Sequence, residues 1–65
     1  MIKINGECVE NIAGKTVTEY LAESGYDLKR VAVELNGDIL PKVQYESTLL
    51  HDGDSIEVVS FVGGG

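Results

Sequence analysis

Sixty-five residues make one small domain; a chain this short buries only about 60% of its unfolded surface. That leaves no room for a cofactor domain or a deep substrate cleft, so a substrate, carrier or subunit is expected rather than a self-contained enzyme. Eleven Asp plus Glu against five Lys plus Arg give a net charge of −6. This excludes the clustered cations of a nucleic-acid binder, disfavours an anionic membrane, and suits a protein partner with a basic docking surface.

Ile2 and Ile4 alternate with Lys3, which predicts a half-buried strand. Asn5-Gly6 follows as a hairpin turn, both residues tolerating positive φ. Glu7 to Ile12 is expected to return as a second strand, with Cys8, Glu10 and Ile12 on one face and Glu7, Val9 and Asn11 on the other. Thr16-Val17-Thr18-Glu19 fits a capping box, and Val17, Tyr20, Leu21 and Ser24 form one helical stripe. Gly25 stands where a left-handed C-terminal cap belongs, so the helix is expected over about Val17 to Ser24.

Val31, Val33 and Leu35 alternate with Ala32 and Glu34 as a third strand. Asn36-Gly37 is a second hairpin turn, and Ile39-Leu40 return before Pro41 stops ladder pairing. Lys42 to Leu50 has no clean period and predicts a loop with a turn of helix, pinned by Val43, Tyr45, Leu49 and Leu50. His51-Asp52-Gly53-Asp54 turns into a last strand, Ser55 to Val62.

A hairpin, a helix and then further strands predict an α+β domain with a mixed sheet of four to five strands and one helix across one face. This is the β-grasp arrangement, of which ubiquitin is the best-known member. The domain is expected over 1–62, with 63–65 as a flexible tail. If Ile56 and Val58 face the helix, Glu57, Val59 and Phe61 face the uncovered side. Val59, Phe61 and Val62 then form a candidate docking patch; the competing reading is a bulge that turns Phe61 inward.

Gly63-Gly64-Gly65 add nothing to a core and are costly to order. Extended, three residues reach roughly 10 Å at about 3.3 Å each. Without Cβ atoms they can thread a narrow channel and carry the Gly65 carboxylate into a partner's active site.

These residues resemble the ThiS family of small ubiquitin-like sulfur carriers of thiamin thiazole synthesis. The likeness runs from Met1-Ile2-Lys3-Ile4-Asn5-Gly6 through Val31-Ala32-Val33-Glu34-Leu35-Asn36-Gly37. It continues in Asp52-Gly53-Asp54-Ser55-Ile56-Glu57-Val58-Val59 and Val62-Gly63-Gly64-Gly65. One departure from many relatives is a third terminal glycine. The resemblance implies that Gly65 is adenylated by a ubiquitin-activating-like (ThiF-like) enzyme using ATP and converted to a thiocarboxylate. It also implies that the sulfur, drawn indirectly through a cysteine desulfurase, passes to a ThiG-like thiazole synthase. Gly63 and Gly64 would accompany Gly65 into the partner. The small subunit of molybdopterin synthase and a ubiquitin-like protein modifier share the terminal Gly-Gly and remain alternatives.

The chain has no G-x-x-x-x-G-K-[ST] loop for ATP phosphates, so no bound cofactor is expected and ATP would belong to the partner. Cys8 is the only cysteine, which excludes an internal disulfide. Glu7 and Glu10 nearby do not favour its thiolate, so a structural or semi-exposed role is expected. His51 beside Asp52 and Asp54 reads as turn chemistry and not as a metal site. Tyr20, Tyr26 and Tyr45 read as core or core-edge residues. No apolar run approaches the ~18 residues of a membrane span and no signal-peptide segment is visible. The expected protein is cytoplasmic and monomeric when free.

Overall fold

The computed structural model describes residues 1–61; the glycine tail and Val62 of the expected docking patch lie outside the described residues. Strand β1 (Ile2–Ile4) turns through Asn5 and Gly6, at φ +52° and +83°, into β2 (Glu7–Val9). Helix α1 (Val17–Glu23) follows, then a 3₁₀ turn (Leu28–Arg30), β3 (Val31–Leu35), β4 (Asp38–Leu40), a second 3₁₀ turn (Lys42–Gln44) and β5 (Ser55–Ser60). The sheet order is β2-β1-β5-β3-β4. The central pair β1–β5 is parallel and the remaining pairs are antiparallel. Five strands with one α-helix make the expected α+β, β-grasp fold.

The helix is bounded as its sequence predicts. The Thr16 hydroxyl accepts from the Glu19 amide at 3.0 Å, and the Glu19 carboxylate accepts from the Thr16 amide at 2.8 Å. That second bond, helped by the hydroxyl, holds the Glu19 carboxyl below its ordinary value. At the other end Gly25 takes φ +83°, and the Tyr26 and Gly25 amides donate to the Leu21 and Ala22 carbonyls at 3.0 and 3.2 Å. This is a Schellman cap, which also brings Tyr26 back toward Leu21. Val17 and Leu21 are buried against the sheet beside Ile2, Ile4, Val31, Val33, Ile56 and Val58. Ser24 is the cap and stays exposed, so the buried stripe is shorter than the sequence suggests.

Three expectations need correction. The second strand ends at Val9 and not at Ile12, because Asn11 adopts φ +66° and breaks the ladder. Ile12 then turns into the core while Cys8 and Glu10 remain exposed, so the three do not share a face. In the loop from Lys42 to Leu50, only Tyr45 and Leu50 are buried; Val43 is 89% exposed and Leu49 45%. A single 3₁₀ turn directs few side chains inward, and Tyr45 takes the inward place. Leu49 forms an isolated bridge with Thr16, and the Leu50 amide donates to Lys15 at 2.8 Å, so this extended stretch sends Leu50 in and Leu49 out. The third is the 3₁₀ turn at Leu28–Arg30, an element beyond those expected. The Asp27 carboxylate caps it by accepting from the Lys29 amide at 2.9 Å.

The loop also completes the helix. The Val17 and Thr18 amides donate to the Thr48 and Tyr45 carbonyls at 2.9 and 3.2 Å, satisfying donors that the first helical turn leaves unpaired. Burial of Tyr45 pushes its phenol above the ordinary value. The turn before β5 is tied to the first residue: the Met1 ammonium pairs with Asp52, and the Gly53 amide donates to the Met1 carbonyl at 3.0 Å.

The ammonium's hydrogen bond and charge hold the Asp52 carboxyl below its ordinary value of 3.8. A lowered folded pKa contributes stability above the unfolded value and loses it as pH falls through the folded one. Wild type should therefore melt above Asp52→Asn at pH 7. The gap should close as pH drops below about 4, in thermal melts run across that range.

Candidate functional site

The described chain leads out of the domain along β5, and that strand is held on both edges. On one side Lys3 and Ile4 of β1 pair with Ser55 and Ile56. Beyond the end of β1 the Asn5 side chain takes over the ladder. Its Oδ1 accepts from the Val58 amide at 2.8 Å, and its Nδ2 donates to the Val58 carbonyl at 3.3 Å. On the other side β3 pairs without interruption from Leu35–Ile56 to Val31–Ser60. The Phe61 amide then donates to the Arg30 carbonyl at 2.7 Å. The second Asn-Gly turn repeats the device at the start of β5, where the Asn36 Oδ1 accepts from the Ser55 amide at 2.9 Å. Its Nδ2 donates to Asp54 at 3.0 Å.

This continuous register fixes which way the side chains face. Ile56 and Val58 are 2% and 7% exposed, whereas Val59 and Phe61 are 53% and 51% exposed. No bulge turns Phe61 inward. Val59 lies opposite Ala32, and Glu57 opposite Glu34. Ile39 of β4, opposite Glu34, is 79% exposed. The uncovered face of the sheet is thus apolar at the end that delivers the chain to residue 62.

Among the described residues, no catalytic cluster is gathered on this face. Cys8 is exposed on the edge strand opposite Lys3. Asp54 accepts from the His51 amide at 2.8 Å, so the His51–Asp54 segment is built as a turn. Among the described residues no three His, Cys, Asp or Glu side chains gather as metal ligands, and no helix is long and apolar enough to cross a membrane. A surface hollow lined by Thr18, Leu28, Lys42, Val43, Tyr45 and Glu46 joins no nucleophile to a base.

A sequence model of the ThiS family matches residues 2–65. The chain belongs to the ThiS family. It is 42% identical to the sulfur carrier protein ThiS of Thermus thermophilus over 65 residues, spanning all of both chains. It is 47% identical over 62 residues to a thiazole synthase of Paramagnetospirillum magneticum, covering 95% of this chain but only 19% of that protein. The crystal structure of the thiamine biosynthesis protein ThiS from Geobacter metallireducens superposes with a TM-score of 0.76 at 36% identity, covering 98% and 97% of the two chains.

Seen as a ThiS-family domain, the molecule is a frame that presents one strand. The two asparagine side chains are the positioning residues that the sequence did not disclose. Their Asn-Gly pairs signal positive φ, and only the tertiary structure shows their amides closing on β5.

Asn5→Gly keeps the left-handed backbone and deletes both amide bonds to Val58. It should cost about 1–2 kcal/mol in urea unfolding. Asn11→Gly, at a similar φ and without a side-chain hydrogen bond among the described residues, should be close to neutral. Val59→Ser with Phe61→Ser should remain folded with a loss of about 1 kcal/mol or less, whereas Val58→Ala alone should cost about 2 kcal/mol. Global unfolding of the exposed-face pair would place those side chains in the core.

Proposed function

We infer that this ThiS-family chain is a sulfur carrier for thiazole formation and holds its cargo at the C-terminal carboxylate of Gly65. The observation that carries the reading is a family match across residues 2–65 on a domain whose central strand runs directly toward the glycine tail. The sulfur-carrier relative supports the role, and the thiazole synthases that share this segment support such an enzyme as recipient.

The chemistry follows from the properties of a carboxylate. Resonance makes it a poor electrophile, so it needs a leaving group before sulfur can attack. An ATP-dependent, ubiquitin-activating-like partner would join the Gly65 carboxylate to the nucleotide's α-phosphorus and expel pyrophosphate. A persulfide charged by a cysteine desulfurase would then displace AMP to give an acyl disulfide. A second thiol, forming a disulfide with the donor's remaining sulfur, would release the thiocarboxylate. Gly63 and Gly64 let the backbone enter a narrow channel, and Gly65 leaves the carbonyl open to attack. Val59, Phe61 and Val62 would seat the domain on the partner while the tail reaches inside. The cycle would run in the cytoplasm.

The experiment is intact mass spectrometry after incubation with ATP, the adenylating enzyme and a cysteine-fed desulfurase. Wild type should gain the mass of one oxygen-to-sulfur exchange, mapped to Gly65. Gly65→Trp should show no gain while its melting temperature is unchanged. Normal loading of that variant would remove Gly65 from the mechanism, and a sulfur adduct on Cys8 would move the cargo to the other end of the chain.

A further inference from the structure

The uncovered sheet face carries a charge arrangement that works against the fold. Glu34 of β3 and Glu57 of β5 are direct cross-strand partners, and both are exposed. Opposed side chains on one face of an antiparallel pair start about 4.5–5.5 Å apart at Cβ, and like charges so placed are destabilising. Among the described residues neither carboxylate has an ion pair: the acidic partners are Asp52, Glu23, Asp27 and Asp54. Neither accepts a side-chain hydrogen bond there either. Apolar groups flank the pair on two sides, with exposed Ile39 directly across from Glu34 and Val59 opposite half-buried Ala32 one row nearer the tail. On the β1 side Lys3 lies opposite Ser55, one row further from the tail, without an ion pair to Glu57 among the described residues. Phe61 continues that row toward residue 62.

We propose that this face docks a folded protein partner that seats one arginine or lysine between Glu34 and Glu57 and lays apolar side chains over Ile39, Val59 and Phe61. The proposal rests on the carrier reading and specifies the surface that the adenylating partner must present. A guanidinium can give separate N–H groups to two carboxylates, which matches this pair better than either carboxylate alone. Apolar cover from the partner over Ile39, Val59 and Phe61 excludes water on those sides and strengthens the attraction. Binding also relieves the repulsion present in the free domain. The net charge of −6 speeds encounter with a basic surface, whereas the Glu pair sets orientation. Glu57 precedes Phe61 by four residues, roughly 13 Å along a strand. The partner's cation should therefore lie about that far from the mouth of its tail channel.

The test measures equilibrium binding of the free domain to the purified adenylating enzyme from the same genome, without ATP, at low and high salt. Glu34→Gln with Glu57→Gln is compared with Glu10→Gln plus Glu46→Gln, which changes net charge equally on other surfaces. The first pair should melt at or a few degrees above wild type, bind about tenfold more weakly and lose much of its salt dependence. The control pair should stay within about twofold of wild type. Equal binding by the first pair, an equal loss in the control, or a lower melting temperature in the first pair would each overturn the proposal. Sulfur loading of wild type is scored separately by mass. Binding without loading would overturn the carrier reading and leave the Glu pair judged by affinity, and no binding by wild type would overturn both.

Discussion

The parallel pairing of β1 with β5 joins the two ends of the chain, and the rest of the sheet depends on it. Two hairpins, β1–β2 and β3–β4, make antiparallel contacts of their own but have no direct edge in common. Among the described residues β5 is the strand that pairs with both. Three-residue strands such as β1 and β4 are too short to be stable as an isolated hairpin. The asparagine amides matter for the same reason. Asn5 extends a ladder that β1 alone ends at Ile56, and Asn36 fixes where β5 begins. Buried Ile56 and Val58 complete the core against Val17 and Leu21.

The domain divides its work by face. The helix side spends its apolar residues on cohesion, and Tyr45 and Leu50 close the gap left by so short a helix. Among the described residues nothing covers the opposite side, and its exposed apolar and acidic residues lie on β5 and its neighbours β3 and β4. No catalytic cluster is needed on the described surface if chemistry occurs at a carboxylate held inside another protein. On that proposed reading, selection by docking and reaction at the terminus would be separable, and one small domain would be able to serve more than one enzyme in turn.

Local signals in the sequence were reliable where a residue type has one geometric use. Thr16 and Glu19 formed both bonds of the capping box, Gly25 took the left-handed cap, and both Asn-Gly pairs adopted positive φ. The outward parity of Val59 and Phe61 followed from the alternation of β5, because only one face has a helix to bury it. Less was legible where context decides. Asn11 resembles an ordinary strand residue until its φ is known, so β2 is shorter than its sequence predicts. Val43 and Leu49 are apolar, yet backbone bonds to Lys15 and a single 3₁₀ turn determined which neighbours faced inward. The asparagine clamps were illegible because they link residues far apart in sequence, and no homologous pattern or local period marks such a contact.

The central position of β5 also has a consequence for biosynthesis. A ribosome releases the two hairpins and the helix first, yet none of them can settle before the strand that lies between them has emerged. Long-range parallel pairing is slow compared with local contacts, and translation adds only about 5–20 residues each second. A chain cut short before Val58 lacks the middle of its sheet and exposes both hairpins to proteases. The fold thereby acts as a completeness check: the uncovered face assembles only in chains already synthesised through β5.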